Sequence, residues 1–401
     1  MGSRSKGLRD GAKAMLEADR RRAGLADVRA FVEGVYGEDL HAKRIASLAD
    51  ATLGVMRAAS LAVAMIGRAL ARARGLVPKH AIKQVDRLLG NRGIEVWESF
   101  ARWVPHRIGA RREALVAMDW TDFDHDGQAT LVLSLVGGHG RAAPLLWVSV
   151  WKDELATRRN GIEDACLRRL ADLVPPGCRV TILADRGFGD QKLFAFLAEL
   201  GFGFVIRFRG NIRVTDAEGR TRPAADWVGP GGRARKLPDA RVTAQGRQVG
   251  AVVCVQARDM KEPWCLAASE RDAAAATLVN HDARRWTIEP QFRDTKDLRF
   301  GMGLSAVRVG DPRRRDRLLL VGAFATALLT LLGAAGESLG MDRLLKANTS
   351  KARTHSLFRQ GCMLYDLIPT MPEHRLAPLM RKFGEAVSSA DFFTPCLASS
   401  K

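Results

Sequence analysis

The sequence predicts an α/β protein: a mixed sheet with flanking helices, a β-rich insertion, and an α-helical N-terminal region. Three observations predict it. The first hundred or so residues show apolar positions at helical spacing with no strand alternation. Between 115 and 208, short apolar runs of strand length are interleaved with helical stretches. From 209 to 263, Gly, Pro and scattered Arg break the chain into short runs. The 401 residues are enough for two or three domains with a full core. A composition of 47% hydrophobic and 27% charged residues argues against wholesale disorder.

In the N-terminal part, Leu48, Val55, Leu61, Val63 and Ile66 sit among alanines. Pro78 is placed to open a helix at its first turn, and Gly90 to stop it. On that helix Lys79, Lys83 and Arg87 share one face and Ile82, Val85 and Leu89 another. The cationic stripe suits a phosphate backbone or a groove, and equally suits a solvated helix face. Strands are expected at Leu115–Trp120, at Thr130–Val136 after the polar turn Asp124–Gly127, and at Pro144–Trp151. A helix over about Gly161–Leu173, a strand Val180–Ala184, a helix Gln191–Leu200 and a strand Gly203–Phe208 follow. The order β-β-β-α-β-α-β joins an antiparallel meander to βαβ units. The stretch 209–263, including Gly229–Gly232, reads as an insertion outside the sheet. Helical pattern resumes from Asp272. The expected organisation is therefore 1–110 helical, 111–208 first part of the core, 209–263 insertion, 264–345 second part of the core, and 346–401 helical.

There are 63 Lys and Arg against 44 Asp and Glu, a formal net charge of +19. A surplus of that size points to a polyanion, most simply nucleic acid. The six cysteines, at 166, 178, 254, 265, 362 and 396, form no CxxC pair and no Cys-His spacing that fits zinc. They read as reduced, mostly buried thiols in a cytosolic protein. The basic stretch Met1–Met15 is followed by no apolar core and does not read as a secretory signal. Leu318–Gly336 imitates a membrane span, but Ala, Gly and Thr dilute it, and Arg313, Arg314, Arg315 and Arg317 precede it. It is expected to be a buried core helix.

Two aspartates, Asp119 and Asp185, stand where apolar strand runs end. There a carboxylate points into a crevice while its strand stays buried; each alone also fits a turn or a cap. A third acid arrives in Arg284–Lys296, where Glu289 and Lys296, seven apart, face the same way on a helix to within about 20°. Asp119, Asp185 and Glu289 together could hold two divalent ions about 4 Å apart. Their hard oxygen ligands favour Mg²⁺, with Mn²⁺ as a substitute, over zinc. Arg285 and Lys296 are placed to bind non-reacting phosphates.

This stretch resembles the Y-(2)-R-(3)-E-(6)-K signature of insertion-sequence DDE transposases of the IS-four-like group. Arg285, Glu289 and Lys296 stand at the R, E and K, with Trp286 after the Arg and Ile288 before the Glu. Asp119 in Met118–Thr121 and Asp185 in Leu183–Phe188 look like the family's two aspartates. The strand order is similar to its ribonuclease-H-like core, and the insertion falls where these enzymes carry theirs. The resemblance covers about 110–340. It implies a cut-and-paste transposase that binds terminal inverted repeats and performs Mg²⁺-dependent cleavage and strand transfer. A DNA hairpin, a homodimer on double-stranded DNA, and a cytoplasmic, nucleoid-associated protein with no membrane role are also implied. Trp264 is similar in context to a Trp that receives a flipped base in hairpin-forming relatives, where stacking is worth about 1–3 kcal/mol. Trp264 and Trp286 equally fit plain packing.

Two features depart from the pattern. The signature Tyr is replaced by Asp282, beside His281. An aspartate there is expected to repel a DNA phosphate, at roughly 1–3 kcal/mol. Pro290 directly follows Glu289, so the helix is expected to kink or start there. A shared face for Arg285 then does not follow, whereas Lys296 keeps its phase. Asp122–Gly127 copies half of a calcium loop but has Leu133 at the twelfth position, and reads as a hairpin turn. Gly137–Arg141 lacks the residues of a phosphate loop. A stand-alone nuclease, a DNA-binding derivative without catalysis, and a membrane-associated protein remain alternative readings.

Overall fold

The computed structural model describes residues 24 and 26–388. The N-terminal stretch 1–15 and Cys396 lie outside them. The chain divides into two units, one of Met1–Gly109 with Phe292–Lys401 and one of Ala110–Gln291.

Among the described residues, the first unit begins with the helices α1 (26–36), α2 (Ala42–Ala58), α3 (Val63–Arg74), α4 (Pro78–Leu89) and α5 (Val96–Ile108). As the sequence predicts, Pro78 occupies the first turn of α4 and Gly90 caps its end. Ala81, Val85, Leu88 and Leu89 are buried on one side of α4, and Lys79, Lys83 and Arg87 are exposed on the other.

The second unit begins with β1 (Glu113–Phe123), β2 (Gln128–Val136) and β3 (Ala142–Trp151), an antiparallel meander. The β1–β2 connection is a tight turn through Asp124–Asp126, closed by Gly127 at φ 61°, so the calcium-like stretch is a hairpin. Next come α6 (Leu155–Leu173), β4 (Arg179–Ala184), α7 (Gln191–Glu199) and β5 (Gly203–Phe208). Strands β1, β4 and β5 run parallel. Every residue of β2 is buried, as expected of a strand covered on both faces.

The region read as an insertion outside the sheet is only partly so. β6 (Arg213–Thr215), β7 (Thr221–Pro223), β9 (Arg241–Val242) and β10 (Arg247–Gln248) form a separate four-stranded sheet. β8 (Arg235–Pro238) and β11 (Ala251–Val255) instead extend the main sheet beyond β12 (Trp264–Ala268), which belongs to the stretch read as core; the sheet order is β3-β2-β1-β4-β5-β12-β11-β8. The reason is pairing remote in sequence: β12 sits antiparallel on β5, with Cys265 opposite Phe208, and β11 then pairs with β12. The Gly- and Pro-rich composition belongs to the turns, and the buried run Ala251–Val255 is ordinary core strand. Helix α8 (Ala275–Arg285) packs on β4, β5 and β12.

A break at Trp286–Thr287 separates α8 from α9 (Ile288–Lys296), so the helix carrying Glu289 starts just before Pro290. There a proline costs no hydrogen bond, because first-turn N–H groups have no intrahelical acceptor.

The first unit is completed by α10 (Pro312–Ser338), α11 (Leu357–Leu367) and α12 (Glu373–Ser388). Asp311 caps α10 by accepting from the Arg314 N–H at 3.1 Å. Helix α10 is long and apolar enough to cross a membrane, yet most of that stretch is buried inside the protein. It is the core helix the sequence predicts: Phe324 meets Phe31, Tyr36 and Trp103 with ring centroids 6.0, 5.7 and 5.2 Å away. Arg317, 4% exposed, donates to the carbonyls of Leu89 at 3.0 Å and Ile94 at 2.9 Å, which stabilises a buried guanidinium and satisfies the end of α4. Cys166, Cys254, Cys265 and Cys362 are buried and Cys178 is half-buried; all five are free thiols. Lys351–Ser356 is irregular and leads into α11.

Candidate active site

The parallel register between β1 and β4 ends at Met118 opposite Ala184. Asp119 and Asp185 are the next residues of each strand, so they emerge side by side on neighbouring strands, roughly 5 Å apart in backbone. Asp119 does not end its strand as the sequence suggested. β1 runs on to Phe123, held by β2 alone, with Asp119 opposite Val132. What ends at this point is β4, and its termination opens the sheet beside the two carboxylates.

Each aspartate is held locally. Asp119 Oδ1 accepts from the Trp120 N–H at 2.8 Å. The Trp120 indole donates to Glu163 Oε1 at 2.7 Å, and that buried carboxylate also accepts from Arg159 at 3.0 Å. Asp185 Oδ1 accepts from the Gly187 N–H at 2.8 Å, capping the short turn Arg186–Phe188. Glu289 is exposed in the first turn of α9. Two of the acids act on the third: burial, then Asp185, and more weakly Glu289, push the Asp119 carboxyl up to about 6 against the pull of Arg285 and the Trp120 N–H. As placed, they do not form a closed ligand shell. Among the described residues, no group of three or more His, Cys, Asp or Glu side chains is positioned to hold a metal ion.

Asp282 takes a place the sequence does not suggest. It is wholly buried, and its Oδ2 accepts from Arg207 Nη2 at 2.5 Å. Its Oδ1 lies 3.9 Å from Arg285 Nε. The expected repulsion of phosphate is corrected accordingly, because two guanidinium groups of the protein meet this charge. Arg285 is itself buried, 3% exposed, with its guanidinium 5.2 Å from the Trp286 ring.

Trp264 opens β12 and is half-buried; Trp286 is 42% exposed. Both flank Arg207, whose guanidinium carbon is 4.0 Å from the Trp264 ring and 5.9 Å from that of Trp286. Lys296 ends α9 seven residues after Glu289 and is half-buried. Lys79, Lys83 and Arg87 stand exposed on α4, in the other unit. Arg207 is the residue that sequence reasoning missed. The one available signal was a basic side chain within the apolar run Phe204–Phe208.

The model of one protein family, described as a transposase DDE domain, matches residues 113–326, more than half of the chain. The match starts at the first residue of β1, takes in the ribonuclease-H-like mixed sheet and all three acids, and ends inside α10. No curated protein matches the chain. With that match laid over this sheet, the chain belongs to the family of transposases that carry a DDE domain.

Proposed function

We propose that the protein is a cut-and-paste DNA transposase of the IS-four-like group. In this reading Asp119, Asp185 and Glu289 are the catalytic acids and hold divalent ions, Mg²⁺ with Mn²⁺ as substitute. The observation that carries it is the pair of aspartates on adjacent parallel strands, with Glu289 close enough to act on Asp119. Three carboxylates are a hard-oxygen donor set, and a divalent cation would offset the burial and the Asp185 charge that raise Asp119. When bound, such ions polarise the reacting phosphate and stabilise the attacking and leaving oxygens.

The residues around the acids orient the DNA. The Trp120 N–H holds one oxygen of Asp119, and the Gly187 N–H one oxygen of Asp185, which restricts the rotation of each carboxylate. Arg285 and Lys296 bind non-reacting phosphates, and Trp264 and Trp286 offer faces for an unstacked base. The exposed stripe Lys79, Lys83 and Arg87 binds the terminal inverted repeats. Water cuts at the element end, and the freed 3′-hydroxyl then attacks DNA, passing through a hairpin, in a homodimer assembled on the DNA. The protein works in the cytoplasm, on the nucleoid.

The test is a duplex containing the inverted repeat that flanks the gene, incubated with the full chain and Mg²⁺ beside Asp185→Ala and resolved on a denaturing gel. Cleavage at the repeat boundary, absent in the variant, together with a slow-migrating hairpin species, is expected. Binding with no cleavage in either Mg²⁺ or Mn²⁺ would refute the catalytic reading.

A further inference from the structure

Among the described residues, the two most exposed large apolar side chains sit together just past α9: Leu298 is 75% and Phe300 57% exposed. The turn that carries them is tightly built. Asp297 Oδ1 accepts from the Arg299 N–H at 2.8 Å and the Phe300 N–H at 2.6 Å. The Asp297 carbonyl accepts from the Gly301 and Gly303 N–H groups at 3.1 and 2.9 Å. The Met302 N–H donates to the Asp294 carbonyl at 2.8 Å, and the Met302 carbonyl accepts from the Leu61 N–H, also at 2.8 Å. Met302 and Leu304 are buried. A β-carbon at Gly301 would lie 2.4 Å from the Arg293 carbonyl oxygen, so glycine is what lets the turn fold back on the end of α9.

The base of the turn is therefore anchored in the core, while its tip faces solvent. Single apolar residues scattered over a surface need no explanation, but two on one fixed tip do. The tip is too small for a protein partner: an aromatic side chain buries about 150–250 Å², against roughly 800 Å² per partner in a stable interface. Its flanks are cationic. Arg293 and Arg299 are exposed, and the Arg299 guanidinium lies 5.1 Å from the Phe300 ring. A narrow apolar tip between arginines, on a chain of net charge +19, matches a duplex step, where bases take the side chains and phosphates the charges.

We propose that Leu298 and Phe300 form a wedge that enters one base step of the element-end duplex, partly unstacks it and bends the DNA. This rests on the transposase reading above and adds to it an uncharged contact made from a turn.

The experiment places 2-aminopurine, a base whose fluorescence rises on unstacking, at successive positions of the flanking-repeat duplex. The full chain is added without divalent ion, so that no strand is cut. At least one position is expected to brighten with wild type and to stay dark with Leu298→Ala/Phe300→Ala. That variant removes no charge and no buried group, so its melting temperature and its slope of log affinity against log salt are expected to match wild type. Its affinity is expected to fall by about tenfold, within what stacking on one aromatic side chain supplies. Wild type that binds with no brightened position, or brightening that survives in full in the double variant, would overturn the proposal. So would a melting temperature lowered by several degrees, which would make the tip part of the core. A DNA-free dimer in sedimentation that only the double variant loses would overturn it too, by making the tip a contact between copies. Wild type that fails to bind the duplex at all would instead refute the transposase reading.

Discussion

Replacing Gly361 by alanine tests how α10 and α11 are packed. A β-carbon at Gly361 would lie 1.8 Å from the Leu329 carbonyl oxygen, and one at Gly333 would lie 1.9 Å from the Leu357 oxygen. The helices therefore meet backbone to backbone at this crossing, and the obstacle is a carbonyl that no rotamer change can move. Alanine favours a helix over glycine by about 1 kcal/mol. Ordinary contact needs about 3.4 Å, so the helices must part by roughly 1.5 Å, and overpacking of that kind costs about 1–3 kcal/mol or more. The clash wins, and Gly361→Ala is expected to destabilise by about 2 kcal/mol, lowering the melting temperature by about 4–8 °C. Gly384, in α12, is the internal control: nothing lies within 4 Å of its β-carbon position, so alanine there is expected to stabilise by about 0.5–1 kcal/mol. Thermal unfolding of both variants by circular dichroism separates the terms. A Gly361→Ala variant as stable as wild type would refute the backbone-to-backbone crossing.

Three further outcomes are expected. His106 packs beside Phe31 and Trp103, and burial, reinforced by the neighbouring Arg107 charge, lowers its pKa to about 4 from 6.5. The unfolded chain therefore takes up the proton first, so this contribution is full above pH 6.5 and is lost as pH falls from 6.5 to 4. It amounts to at most about 3 kcal/mol, and in denaturant melts across that window wild type should lose stability toward acid pH by up to that amount more than His106→Phe does; parallel curves would refute it. Arg317→Met leaves the Leu89 and Ile94 carbonyls without their charged donor and is expected to cost about 3 kcal/mol in a denaturant titration. An unshifted midpoint would show that these bonds carry no net stability. Changing Lys79, Lys83 and Arg87 together to Gln should leave the melting temperature unaltered, since all three are exposed. It should also reduce the salt slope of DNA binding by up to about 2.7, and an unchanged slope would assign the stripe to solvent alone.

What the sequence determined by itself is what depends on neighbours along the chain. The period of the apolar residues marked β2, β4, β5 and the helices between them. Pro78 and Gly90 bounded α4, and Asp124–Gly127 turned the first hairpin. The apolar length of Leu318–Gly336, with arginines before it and small residues within it, read as a core helix, and α10 is one. The spacing within Arg284–Lys296 marked the helix of Glu289, and Pro290 marked its start. The tertiary structure alone decided what depends on remote pairing. β11 reads as part of an insertion until β12 docks on β5 and carries it into the main sheet. Asp119 reads as a strand end because β1 has a partner on only one side beyond it, a fact about β2 and β4. Asp282 reads as an exposed charge facing DNA; it is buried because Arg207, 75 residues earlier, reaches it. A carboxylate can enter a low-dielectric interior only with a counter-charge, and which arginine supplies it is set by strand register, which no local pattern contains.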